Sequence, residues 1–196
     1  MSARTASVKR VTKETNISLS LNLDGRGLCR VKSGIPFLDH MLELLARHAL
    51  IDLRLEAKGD LEVDYHHTVE DIGLCLGQAL DEALGTRRGI VRYGHAYVPM
   101  DEALCRAALD LGGRPFLHYE IACRKQKIRD FNIGLIEEML RAFTVQGRLN
   151  LHITHFYGKD AHHAVESVFK ALARALRMAL ARDPREPGIP SSKGKI

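Results

Sequence analysis

The sequence predicts an internally duplicated α+β fold in which two mixed β-sheets cover a layer of four helices. Three observations predict it. Shifted by 96 residues, DYHHTVEDIGLCLGQALDEAL (64–84) falls on DAHHAVESVFKALARALRMAL (160–180), and ten of the twenty-one positions are identical. In both copies apolar residues recur at helical spacing: Val69, Ile72, Leu76 and Leu80 in the first, Val165, Val168, Leu172 and Leu176 in the second. Elsewhere apolar and polar residues alternate with a period of two, as in Ile17-Ser18-Leu19-Ser20-Leu21-Asn22-Leu23.

The elements follow in order. After the Ile17–Leu23 strand, the turn Asp24-Gly25-Arg26-Gly27 leads into a short strand near Leu28 to Val31. Phe37-Leu38-Asp39-His40-Met41-Leu42 opens a first helix, Ile51 to Leu55 is a strand, and Asp64 is placed to cap the first repeated helix. In the second half, residues 94–121 supply three strands, broken at Asp101-Glu102 and at Gly112-Gly113-Arg114-Pro115. Glu137-Glu138-Met139-Leu140 corresponds to Asp39-His40-Met41-Leu42, Leu149 to Ile153 is the partner of Ile51 to Leu55, and Asp160 caps the second repeated helix. Each half therefore reads as strands, helix, strand, helix. The half-repeats are 1–88 and 89–182, with an irregular tail at 183–196 that carries Pro184, Pro187 and Pro190, all within one compact domain.

Composition narrows the function. With 45% hydrophobic residues the 196-residue chain can bury a core. It has no apolar run of about 18 residues, and MSARTASVKR lacks the apolar segment of a secretory signal, so a cytoplasmic protein without membrane contact is expected. Cys29, Cys75, Cys105 and Cys123 are scattered, which suits reduced, buried thiols and not a disulfide framework. The net charge of +5 suits a phosphorylated small substrate as well as a nucleic acid. An RNA-binding module would show aromatic-rich basic strands, and aromatics are only 6%, so no nucleic-acid partner is expected.

Five of the ten histidines, His66, His67, His155, His162 and His163, lie in or beside two short segments. On a helix Glu70 lies four residues from His66 and three from His67, so its carboxylate shares a face with either imidazole. Adjacent histidines point about 100° apart, so one ion cannot easily take both. The same holds for His162, His163 and Glu166. The economical arrangement gives each of two ions one histidine from each copy, with carboxylates completing the shell. Imidazole and carboxylate without thiolate suit Mn²⁺, Fe²⁺ or Zn²⁺, and more than four ligands favour Mn²⁺. A single HHxxE is readily a polar helix start without further use. Here surface neighbours have diverged between the copies, Gln78 to Arg174 and Asp81 to Arg177, while the ligand types have not. His40 is a further candidate ligand, since its duplicate position, Glu138, is also a ligand type. A two-metal phosphate or amide hydrolase would use the same residue types.

The following segments together make the chain similar to the imidazoleglycerol-phosphate dehydratases along nearly its whole length: Thr12-Lys13-Glu14-Thr15, Pro36-Phe37-Leu38-Asp39-His40-Met41-Leu42, the two HHxxE helices, Arg92 after Arg87-Arg88-Gly89-Ile90, Gly113-Arg114-Pro115, and Ile189-Pro190-Ser191-Ser192-Lys193-Gly194. The resemblance implies halves like the second domain of ribosomal protein S5, an assembly of 24 subunits, and two manganese ions per active site at sites built between subunits. It implies dehydration of imidazole glycerol phosphate to imidazole acetol phosphate in histidine biosynthesis. The implied metal ligands are His40, His66, His67, Glu70, Glu138, His162, His163 and Glu166, although many members carry histidine at the position of Glu138. Glu14 corresponds to a substrate-contacting acid and is the expected general base, with a metal-bound carboxylate, Glu70 or Glu166, or else water, as the other proton carrier. Arg92, Arg114, Lys170, Ser191, Ser192 and Lys193 match substrate-binding positions. Leu44 stands where some members carry a substrate-touching glutamine, so that contact is not expected here.

Overall fold

The alternating pattern becomes two sheets. In the computed structural model, which describes residues 3–123 and 125–196, β1 (Thr5–Val11), β2 (Thr15–Asn22), β3 (Cys29–Lys32) and β4 (Asp52–Gly59) form a sheet in the order β1-β2-β4-β3. β1–β2 and β2–β4 are antiparallel and β3–β4 is parallel. Its helices are α1 (Pro36–Ala49) and α2 (His66–Leu84). The second half repeats this plan with β5 (Tyr93–Met100), β6 (Ala103–Asp110), β7 (Phe116–Ile121), α3 (Leu135–Gly147), β10 (Asn150–Tyr157) and α4 (Ala161–Leu180). Its sheet order is β5-β6-β10-β7, again with only the last pair parallel. A small hairpin, β8 (Lys127–Ile128) with β9 (Phe131–Asn132), interrupts the second half and has no counterpart in the first.

Ile17, Leu19 and Leu21 are buried while Asn16 and Ser18 are exposed, and β6 buries Ala103, Cys105, Ala107 and Leu109 in the same way. Each sheet thus turns one apolar face to the helices. α2 packs on β1 and β2, α4 on β5 and β6, and the helix layers meet through α2 against α3 and α1 against α4. β1 carries no readable alternation because Val8 is its one buried residue. Edge position requires no more, and the sequence pattern passes over it.

The helix ends show how local chemistry aims the later site. Asp160 caps α4 by accepting the His162 and His163 N–H groups. Asp64 lies one residue outside the α2 cap position, held by Tyr65, and accepts the His66 N–H at 2.7 Å. Asp39 accepts the Ser33 N–H at 2.9 Å and its hydroxyl at 2.6 Å, which fixes the first turn of α1 beside His40. α1 and α3 both end on left-handed non-glycine residues, Leu50 (φ 57°) and Arg148 (φ 49°), at equivalent positions of the two halves. Such residues are strained, so the repetition reflects a shared turn and not chance.

Glycine sets the distance between the halves. A Cβ on Gly73 would lie 2.3 Å from the Met139 carbonyl oxygen, and one on Gly77 2.5 Å from that of Phe143. The +4 step on both helices means that α2 and α3 run side by side in the same direction. The equivalent positions of α4 are Phe169 and Ala173, with Phe169 fully buried. We expect Gly73→Ala to destabilise the protein by about 1–3 kcal/mol despite its better helix propensity, since the methyl group must push backbone apart. Chemical denaturation checks this, and a stabilised variant would show that α2 and α3 do not touch there.

Candidate active site

The histidine rings diverge as helical geometry requires. Rings of His66 and His67 meet at 84° and those of His162 and His163 at 79°. Four stations result. In the first, His40 from α1 and His162 from α4 approach the Glu166 carboxylate, at 3.7 and 3.2 Å from its Oε2. These three offer ligand atoms within 4.8 Å of one another, and they are the group that could hold a metal ion among the described residues. Lys170 donates to the other oxygen, Oε1, at 2.6 Å. Burial alone would raise the Glu166 pKa, but Lys170 and the two histidines outweigh it and hold the group below the usual carboxylate range. Glu166 is therefore an anion at neutral pH.

In the second station His66 Nε2 lies 3.6 Å from Glu70 Oε2. The third and fourth are built around His67 and His163, each with its Nδ1 against a carboxylate. Asp60 Oδ2 is 2.9 Å from His67 Nδ1, and Glu102 Oε2 is 2.7 Å from His163 Nδ1. These carboxylates orient the rings, make the imidazoles more basic, and leave Nε2 as the outward-facing donor, the arrangement found behind metal-bound histidines. Both histidines accordingly have raised pKa values, caused first by Asp60 and by Glu102. The Asp160 N–H, with His163 and the Lys159 N–H, brings Glu102 down to about 2. Glu14 Oε1 stands 4.0 Å from His67 Nε2, and Asp101 Oδ2 3.8 Å from His163 Nε2. Glu138 lies half-buried on α3 next to Glu137, which pairs with Arg141.

The remaining expected substrate residues divide between two places. Lys170 belongs to the first station. Arg92 lies at the far end of α4, where its N–H bonds the Ala179 carbonyl. Its side chain donates to both oxygens of Asp110 and to the Pro190 carbonyl, which draws the C-terminal tail onto the second sheet. Ser191, Ser192 and Lys193 follow directly, and Ile196 packs at Gly113 beside the exposed Arg114. Thus Arg92, Arg114 and the tail gather at one end of α4 and His162, Glu166 and Lys170 sit at the other.

Sequence reasoning did not single out Asp60, Asp101 or Glu102, nor the aromatic cleft of about 370 Å³ next to His40 and His162. Phe37, Tyr65 and Phe131 line that cleft, and the Tyr65 hydroxyl donates to Asp130 at 2.5 Å, so the β8–β9 hairpin closes one side. His155, counted in the histidine clusters, lies buried on β10 with no hydrogen-bond partner for either ring nitrogen among the described residues. Burial lowers its pKa, so it is a neutral core residue. All four cysteines are free, and burial lifts Cys29 and Cys75 to about 11 and Cys105 to about 12, which leaves them protonated.

Residues 33–176 match the family model of imidazoleglycerol-phosphate dehydratase. The chain belongs to the imidazoleglycerol-phosphate dehydratase family. It is 53% identical to the imidazoleglycerol-phosphate dehydratase of Nitrosomonas europaea over 197 residues, which cover all of both chains. To that of Geobacter metallireducens it is 51% identical over 99% of this chain and all of the other. The solved imidazoleglycerol-phosphate dehydratase structure from Staphylococcus aureus superposes with a TM-score of 0.83 at 37% identity, covering 91% of this chain and 99% of that one. One from Pyrococcus furiosus, in complex with (S)-C348, does so with a TM-score of 0.82 at 33% identity over 96% and 100%. The chain is a hydro-lyase that dehydrates imidazole glycerol phosphate to imidazole acetol phosphate in histidine biosynthesis, which sets aside the hydrolase alternative. Among the described residues no helix is long and apolar enough to cross a membrane.

The imidazole and carboxylate donors of the first station, with no thiolate, fit a hard or borderline divalent cation. Glu102→Ala leaves His163 without its orienting partner. It should weaken divalent-metal binding by roughly 10- to 100-fold while folding is retained. Metal titration of stripped protein measures this; unchanged affinity would remove Glu102 from the metal centre.

Proposed function

We propose that the dehydration uses two Mn²⁺ ions per active site and that each site is shared between subunits of a closed assembly of 24, in the cytoplasm. The observation that carries the shared site is the separation of the two clusters along α4. His162 and Glu166 are 17 and 13 residues from Ala179, where Arg92 is attached, so the clusters are roughly 20–25 Å apart at the helical rise. A three-carbon phosphoester cannot span that distance. One chain's histidine end and another chain's Arg92, Arg114, Ser191, Ser192 and Lys193 would therefore serve one substrate. Arg92 is suited to this, since Asp110 and Pro190 take three N–H bonds and the guanidinium has five. The first station likewise gives only three ligands, fewer than a manganese ion takes. His66, His67, Glu70, Glu138 and His163 of neighbouring copies are of the right type to complete the shells.

Bound manganese would polarise the imidazole ring and favour its anionic form. The chain's own residues supply the proton transfers. Glu14 is exposed and lies beside His67, with no lysine or arginine pairing with it among the described residues. In our reading it takes the proton from the carbon next to the one bearing the departing hydroxyl. That hydroxyl leaves the ring-attached carbon as water after gaining a proton, and the resulting enol collapses to the ketone. Glu70, more open than Glu166, is the second proton carrier. Glu166 has Oε1 engaged by Lys170 and so holds the ligand station, from which Lys170 also faces the substrate.

Chelation should abolish activity and Mn²⁺ should restore it best, while Glu14→Gln should keep metal content and lower kcat by about 10²-fold. Turnover in protein shown by elemental analysis to be metal-free would sink the metal reading, and a normal kcat in Glu14→Gln would remove the base. Because an ion bound between subunits stabilises the assembled state by mass action, stripped protein should sediment as a smaller oligomer and return to a large particle with Mn²⁺. Sedimentation that ignores metal would refute sharing.

A further inference from the structure

Glu14 lies in a turn whose hydrogen bonds form a closed circuit beginning and ending on α2. Asp71, buried on that helix, accepts the Thr15 hydroxyl at 2.5 Å through Oδ2, and its Oδ1 faces Arg10 Nε at 2.9 Å. Thr15 is itself buried. Its hydroxyl lies 3.2 Å from that of Thr12, and Thr12 Oγ1 accepts the N–H groups of Glu14 at 3.1 Å and Thr15 at 2.9 Å. The Thr12 N–H closes the turn onto the Thr15 carbonyl at 2.8 Å. On the other side the Glu14 carbonyl accepts the Asp60 N–H at 3.1 Å, and the Asp60 carboxylate reaches His67 Nδ1, back on α2. Gly59 permits this approach, since a Cβ there would lie 1.9 Å from Thr68 Oγ1 at the helix start.

We propose that Thr15 with Asp71, and Asp60, are positioning residues that hold Glu14 at a fixed reach from His67. The inference rests on the reading of Glu14 as the base. Both peptide groups of Glu14 are bound, its N–H by Thr12 and its C=O by Asp60, so its backbone cannot shift without breaking a bond. The side chain alone stays open to substrate. The second half lacks the device. At the matching positions Ala103 replaces Thr15 and Ser167 replaces Asp71, and Ser167 donates to the Ala164 carbonyl of its own helix. The circuit therefore serves the half in which the turn glutamate is unattached, and it is more than the fold needs, because β5–β6 turns without it.

A double-mutant cycle tests the proposal. Thr15→Val removes the hydroxyl at nearly constant volume and should lower kcat by roughly 10- to 100-fold, the cost of misplacing a reacting group by about an ångström. KM and bound metal should change little, and any fall in the thermal midpoint should be the same with or without Glu14→Gln. Thr15→Ser should recover most of the loss. In a Glu14→Gln background Thr15→Val should change kcat less than about twofold, because nothing is left to position. Thr12→Ala, at an exposed site, provides the same comparison if burial makes Thr15→Val fold poorly. An equal loss in both backgrounds would overturn positioning while leaving Glu14 as base, and so would an unchanged kcat in Thr15→Val. If Glu14→Gln alone is silent, the base reading fails, and the positioning inference falls with it.

Discussion

α2 and α3 approach so closely at Gly73 and Gly77 that no side chain fits between them and the opposing backbone. This contact fixes more than the packing of two helices. Gly73 lies one turn beyond Glu70 on α2, and Met139, which it meets, follows Glu138 on α3. The facing of the ligand-type residues at the start of both helices is set by the same approach. Since α2 rests on the first sheet and α3 belongs to the second half, the two sheets take their separation from it as well.

Much of the fold was legible because periodicity records burial. The period of two in Ile17–Leu23 and of 3.6 in the repeated helices marks the apolar faces directly. β1 was not legible, since one buried valine makes no pattern, nor was the β8–β9 hairpin, whose strands are two residues each. Within the site, residues on a single helix could be read: His66 with Glu70, and His162 with Glu166, follow from spacing alone. Asp60 and Glu102 could not. They lie 7 and 61 residues from the histidines they orient, in a loop and a strand turn that only the folded chain brings alongside. The role of Arg92 as an anchor for the tail also depends on a partner 98 residues away.

The duplication has not kept the same work in the same place. Glu14 and Glu102 each stand immediately before the second strand of their half. Glu102 is drawn in by two backbone N–H groups and His163, while Glu14 keeps its carboxylate open and leaves the orienting of His67 to Asp60. A carboxylate held at a pKa of about 2 is a poor proton acceptor. Equivalent turns thus carry an orienting carboxylate in one half and, in our proposal, the acid–base group in the other.

The two crossings of the helix layer, α2 with α3 and α4 with α1, are related by the duplication, yet the equivalent positions of α2 and α4 carry glycine at 73 and a buried phenylalanine at 169. Two separate, identical half-length chains related by a twofold axis could not do this. Every substitution in such a dimer appears in both copies at once, so glycine in one helix and phenylalanine at the same position of the other are mutually exclusive. Joining the halves in one polypeptide removes that symmetry constraint, and each helix can then carry its own residue at the shared position.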